Sequence, residues 1–104
     1  MTYRLFLDDE RDPPNDGGEW IVRRSVKDAK DAVAKIGFPK FVSFDNDLGR
    51  DAEEGRAFAS WLVERDLDAD EMPNDFDWYA HTQNPVAKEA IDSLLTRYLK
   101  TKGR

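Results

Sequence analysis

The stretch Phe41-Val42-Ser43-Phe44-Asp45-Asn46-Asp47-Leu48-Gly49 decides how the chain is read: an apolar run broken only by Ser43, then carboxylates and a glycine. A run that short, stopped by turn residues, is the pattern of a buried strand in a parallel sheet. Two other segments repeat it. Tyr3 to Leu7 runs into Asp8-Asp9-Glu10-Arg11-Asp12-Pro13-Pro14, and Phe76 to Ala80 runs into His81-Thr82-Gln83-Asn84-Pro85. In an open α/β sheet the carboxyl ends of the strands share one edge, and ligands bind there. The three motifs are therefore expected to meet in one pocket, which would hold several carboxylates and the only histidine of the chain.

The segments between them supply the rest of the fold. Trp20 to Val22 reads as a further short strand. Ser25, with Asp28 three residues on, marks a helix start. Val26, Ala29, Val33 and Ile36 give that helix an apolar stripe, and Gly37 and Pro39 end it. Ala57, Phe58, Trp61 and Leu62 stripe a second helix ending near Arg65, with Phe58 and Trp61 in the core. Asp66 to Asp75, acidic and containing Pro73, reads as a surface loop. Asn84 as N-cap and Pro85 at the first helical position open a third helix. Its stripe is Val86, Ala90, Ile91, Leu94, Leu95 and Tyr98. The order β-loop-β-α-β-α-β-α predicts a mostly parallel four-stranded sheet covered by helices. Residues 8–19 carry Pro13-Pro14 and Gly17-Gly18, so the first crossover is not a regular helix. One face of the sheet should be less fully covered, with Trp20 and Trp78 packed on their strands.

Composition narrows the class. A chain of 104 residues, 39% hydrophobic and 12% aromatic, is one folded domain over residues 1–104 and not a disordered acidic tail. Lys100, Lys102 and Arg104 read as a basic, frayed tail within residues 100–104. No run of about 18 apolar residues is present, so no membrane partner is expected. The N-terminus lacks the pattern of a signal peptide. The absence of cysteine excludes disulfides and thiolate zinc sites. A cytoplasmic location follows by default. The net charge of −6 argues against a broad nucleic-acid surface. It leaves room for a small phosphorylated ligand if a bound cation inverts the local field.

Asp8, Asp9, Asp45 and Asp47 are the sharpest chemical signal. Carboxylates gathered at one edge raise one another's pKa unless a cation or base offsets them. Such a set either binds a hard cation such as Mg²⁺ or shares a proton for acid–base work; the lesser alternative is that Asp8 and Asp45 simply start polar turns. Asp45-Asn46-Asp47 is no EF-hand: Gly49 falls where a ligand is needed and Arg50 where glycine is needed. His81 is a candidate general acid or base, since imidazole titrates near neutrality; a lone histidine is also often structural. The first N–H groups of the last helix, beside Thr82 and Asn84, offer an anion site. Arg11 either contacts a phosphate or pairs with Glu10 or Asp12.

Taken together, Leu7-Asp8-Asp9-Glu10-Arg11-Asp12-Pro13, Ser43-Phe44-Asp45-Asn46-Asp47-Leu48-Gly49 and His81-Thr82-Gln83-Asn84-Pro85 resemble the cyclic-phosphate processing receiver-like domains of bacteria and tailed phages. The resemblance runs over nearly the whole chain. It implies a flavodoxin-like three-layer α/β/α sandwich in a reduced, receiver-like form. By motif position, Asp8 and Asp9 resemble the acidic pair that binds the receiver's metal, and Asp45 resembles its phospho-acceptor. His81 and Asn84 belong to the family's own terminal motif. The implied activity is a metal-assisted phosphoesterase acting on cyclic phosphates, such as nucleotide or RNA 2′,3′-cyclic ends. Asp8, Asp9 and Asp45 would hold a divalent metal, His81, Asp45 and Asp47 would be catalytic, and Arg11, Thr82 and Asn84 would bind substrate. The alternative is a non-catalytic receiver-like module that binds and regulates a partner protein. A standard receiver also has a fifth strand ending in a lysine that contacts the phosphoryl group. Here the lysines after His81 are Lys88, Lys100 and Lys102, in or beyond the last helix, and the first crossover helix is missing. A phosphorylation switch is therefore not expected.

Overall fold

The computed structural model describes residues 2–50 and 52–103. Along the chain it places β1 (Arg4–Leu7), β2 (Ile21–Arg23), α1 (Val26–Ile36), β3 (Phe41–Phe44), α2 (Gly55–Ala69), β4 (Asp77–Ala80) and α3 (Pro85–Thr101). The sheet order is β2-β1-β3-β4 and every pairing is parallel. This is a receiver-like, flavodoxin-like α/β fold, as the sequence pattern and the resemblance implied. No described helix is long and apolar enough to cross a membrane.

Alternation along the strands sorts side chains to two different environments. Leu5, Leu7, Val42 and Phe44 are fully buried and belong to one cluster with Val33 of α1, Phe58 and Leu62 of α2, and Ile91 and Leu95 of α3. Fully burying each such side chain contributes about 1.5–3 kcal/mol, so this helical face holds most of the stability. Phe6, Phe41 and Ser43 point to the other face. There the layer is built from the 8–20 connection: Trp20 meets Phe6 and Phe41 edge-on at 5.7 and 5.8 Å. Arg4 lies 4.0 Å over the Trp20 ring and pairs with Asp16 at 2.8 Å, fastening the loop to β1. The expected thinner face is thus a layer of loop and aromatic rings.

Local signals explain the helix ends. Ser25 Oγ accepts from the Asp28 N–H, and Gly37, at φ +115°, turns the chain out of α1. Helix α2 begins with Glu54 in the N-cap position, but that side chain makes no cap hydrogen bond. Asn46 supplies the cap from the preceding loop: its Oδ1 accepts from Arg56 N and its carbonyl from Gly55 N.

Helix α2 is four residues longer than its apolar stripe predicts, and Asp66 is not on a surface loop. Asp66 is 2% exposed and accepts hydrogen bonds from Met72 N, Tyr98 Oη at 2.5 Å and Lys102 Nζ. The stretch is acidic enough to look solvated, yet its first carboxylate is matched by partners about 32 residues later in sequence. Lys100 and Thr101 lie within α3, and Lys102 reaches back to Asp66 and Asp70; Arg104 lies outside the described residues. Phe76 falls before β4 but packs edge-on against Phe38 at 5.6 Å.

Burial raises the Asp66 pKa, but Lys102, Tyr98 and Met72 N outweigh it and hold the group below the usual carboxylate range. Burial and Asp66 push the Tyr98 hydroxyl up to about 12. A depressed folded value stabilises the protein above the unfolded value of about 3.9 and loses that stabilisation as pH falls through the folded value. Asp66→Asn should therefore cost about 3 kcal/mol in urea unfolding at neutral pH, and the deficit should shrink below about pH 4. A deficit of the same size at both pH values would show that the ionised carboxylate is not what stabilises.

Candidate active site

The parallel register aligns the three motifs. Leu7 pairs with Phe44 and Phe44 with Ala80. The ladder continues one step beyond the strands, with Asp45 N donating to Leu7 O and His81 N to Phe44 O, both at 2.9 Å. Asp8, Asp45 and His81 therefore lie side by side at the carboxyl edge. One potential ligand atom from each lies within 4.8 Å of the others.

Asp8 is the most constrained member, at 1% exposure. Its Oδ1 accepts from the N–H groups of Glu10 and Arg11, both at 2.9 Å. Its Oδ2 accepts from Arg11 Nε at 2.8 Å and faces His81 Nε2 at 3.0 Å. Burial opposes the charge, but these donors outweigh it and hold Asp8 below the ordinary carboxylate range. Asp45 goes the other way. It is buried beside Asp8, and burial followed by the Asp8 charge pushes its pKa up against the Asn46 N–H and Arg11. Arg11 bridges the pair, with Nη2 3.5 Å from Asp45 Oδ1.

His81 is committed at both ring nitrogens. Nε2 faces Asp8, Nδ1 lies 2.7 Å from Ser43 Oγ, and the ring stacks on Phe6 at 4.7 Å with planes 5° apart. A carboxylate only accepts, so the Nε2 position carries the proton in this contact. Ser43, the one polar residue of the β3 run, escapes the sequence reading, although alternation places it on the His81 face.

A cleft of about 560 Å³ opens at this edge. Among the described residues, its walls carry the carboxylates of Asp8, Asp9, Glu10, Asp45, Asp47 and Glu54, against the single guanidinium of Arg11. Thr82 and Gln83 form the α3 side. Asp9 and Asp47 thus share the cleft with Asp8 and Asp45, as the motifs suggested, but Asp9 stands outside the tight group with His81. Asn84 does not line the cleft. Its Oδ1 accepts from Val86 N and Ala87 N, so the helix-start N–H groups read as an anion site are bonded to the cap itself. Glu54 and Asn46, which the sequence reading did not single out, form a brace behind Asp47, with Asn46 Nδ2 donating to Glu54 Oε2 at 2.6 Å.

Asp8, Asp45 and His81 each offer one ligand atom that could hold a metal ion, the carboxylates suiting hard cations and the imidazole softer ones. Asp8 and Asp45 would hold it, with His81 at their side. The fit has two conditions: both Asp8 oxygens already accept two donors each, so a cation must displace Arg11 or His81 from Oδ2, and His81 could ligate only through a ring nitrogen that carries no proton.

Fold and site together define a receiver-like α/β domain with an acidic cleft at the carboxyl edge of its sheet. The cyclic-phosphate processing receiver domain matches residues 3–97, and the chain belongs to that family. No match was found among curated proteins or solved structures.

Two outcomes follow from the geometry. Long-range ¹H–¹⁵N spectra should show the His81 proton on Nε2 in the metal-free protein, and a dominant Nδ1–H tautomer would contradict the Asp8 contact. Gly55→Ala should destabilise by about 2–3 kcal/mol in urea unfolding, despite alanine's helix preference of about 1 kcal/mol. The reason is that a Cβ there would sit 1.8 Å from the Asp45 carbonyl oxygen. A stabilised Gly55→Ala protein would show that α2 does not press on the site loop.

Proposed function

We propose that the protein is a cation-dependent phosphoesterase that opens cyclic phosphates, with nucleotide or RNA 2′,3′-cyclic ends as the substrate class. One observation carries the reading: the cleft places, among the described residues, six carboxylates against one arginine, a field that repels any phosphate unless a cation enters with it. Asp8 and Asp45 would hold a divalent ion, which would supply that positive charge and lower the pKa of a bound water.

The chain's own residues divide the remaining work. Water attacks phosphorus, the bond to one ribose oxygen breaks, and that oxygen takes a proton to leave a phosphomonoester. Asp47 stands at the cleft two residues after Asp45, where it accepts the water's proton and passes one to the leaving oxygen while Asp45 serves as a ligand. Arg11 presents several N–H donors in a planar fork that matches phosphate oxygens. Thr82 and Gln83 complete the wall opposite the acidic loops. His81 fixes Asp8 in its ionised, inward position, and direct proton transfer by His81 requires that hydrogen bond to open. Asp9 adds a further carboxylate to the cation's surroundings.

The second reading is a module that engages a basic partner surface, and the same excess of carboxylates favours it. The chain incubated with 2′,3′-cyclic nucleotides and Mn²⁺ or Mg²⁺ should yield 2′- or 3′-monophosphate, read by ³¹P NMR. Asp45→Asn should lower kcat at least about 100-fold, and chelation should abolish turnover. No turnover by the wild type in either metal would sink the phosphoesterase, and stoichiometric capture of one basic partner, unaffected by Asp8→Asn and Asp45→Asn, would replace it with the module.

A further inference from the structure

We propose that Arg11 is the resident cation of the Asp8–Asp45 pair, that a divalent ion displaces its side chain, and that the freed guanidinium then binds the phosphate. The proposal rests on the reading of Asp8 and Asp45 as cation ligands and adds an order of events to it.

Three observations carry it. First, Arg11 already occupies the position a cation would take, with Nε at 2.8 Å from Asp8 Oδ2 and Nη2 at 3.5 Å from Asp45 Oδ1. Both Asp8 oxygens have their full complement of donors, so guanidinium and metal compete for the same lone pairs. Second, the backbone of Arg11 is anchored independently of its side chain. Arg11 N donates to Asp8 Oδ1, and Arg24 Nη1 donates to the carbonyls of Arg11 and Asp8, at 2.5 and 3.2 Å. The Arg11 side chain is 48% exposed and, among the described residues, makes its ion pairs with the two aspartates. Rotation about its own bonds is enough to release it, with no loop movement. Third, Arg11 is the only basic residue among the described walls of the cleft. While it neutralises Asp8 and Asp45 it is not free to bind an anion, so one guanidinium serves one partner at a time.

The consequence is positive coupling. A divalent ion releases the phosphate-binding group, and a phosphate that holds the released group keeps it from competing with the ion. Thermodynamic linkage makes the two effects equal.

The test uses the full chain and Mg²⁺ or Mn²⁺ as the probe. In ¹⁵N-arginine-labelled protein, Mg²⁺ should shift the Arg11 Nε–Hε signal out of its hydrogen-bonded position. Calorimetry should show Arg11→Gln binding Mn²⁺ about tenfold or more tighter than the wild type. Arg56→Gln removes the same charge beside Glu54 without touching Asp8 or Asp45, and its Mn²⁺ affinity should change far less. An unmoved Arg11 signal at saturating Mg²⁺ overturns the proposal without any variant. So does an Arg11→Gln affinity equal to or below the wild type's, or equal to that of Arg56→Gln. In those cases Asp45-dependent Mn²⁺ binding by the wild type leaves the cation reading intact. Absence of Mn²⁺ binding in every protein overturns both.

Discussion

The structure of the site depends on keeping one buried carboxylate ionised. Asp8 ends β1 almost wholly out of water, where an uncompensated charge would cost several kcal/mol. The chain around it is arranged to prevent that. Residues 8–11 turn back so that two N–H groups meet Oδ1, Arg11 folds over Oδ2, and His81 closes from β4. Arg24, just past β2, ties the same turn down through the Asp8 and Arg11 carbonyls and Asp12. A proline- and glycine-rich connection with no helix of its own thereby acquires a fixed shape at its first five residues. The sheet supplies the frame, but the Asp8 charge sets the conformation of the loop that the cleft is made from.

That dependence explains what sequence reading reached and what it missed. The strand-end placement of Asp8, Asp45 and His81 was legible because it follows from two local patterns, short apolar runs and the polar residues that stop them. Once the strands are parallel and in register, the three residues have to be neighbours. Helix α1 was legible from Ser25 and Gly37 for the same reason. The parts that were not legible are those whose partners are distant in sequence. Asp66 looked solvated because nothing near it is basic or aromatic in the right place; Tyr98 and Lys102 arrive from the end of α3. Asn46 capping α2 from outside the helix, and Ser43 meeting His81 across strands, are also tertiary contacts. Asn84 gave a correct cap and a misleading anion site, because the side chain that marks a helix start also uses up its first free donors.

The likeness to a receiver is sharpest in what the site lacks. No lysine lines the cleft among the described residues. Lys88, the first lysine after His81, turns to the Ala80 carbonyl and lies 5.1 Å over the Tyr79 ring. Lys102 is bound to Asp66 at the far end of α3. The residue beside Asp45 at the end of β4 is a histidine locked between Ser43, Phe6 and Asp8. A ring fixed on three sides holds a geometry well and transmits a movement poorly. This favours a site that binds and turns over a ligand above one that signals its own modification.

The opposed ionisation of Asp8 and Asp45 then bears on chemistry. Two carboxylates at one edge share the same register but not the same surroundings: Asp8 collects the donors, and Asp45 is left with burial and a negative neighbour. Environments that push a pair apart in this way usually assign distinct roles. Of the two, Asp45 more readily takes a proton, whereas Asp8 stays a fixed negative charge. A divalent cation held by the pair would reverse the pressure on Asp45 and favour its ionised, ligating form. Asp47, two residues on and exposed at the rim, would then be the carboxylate best placed to move protons. On the proposed reading, the spacing of Asp45 and Asp47 on one loop would let the site keep both a ligand and a base.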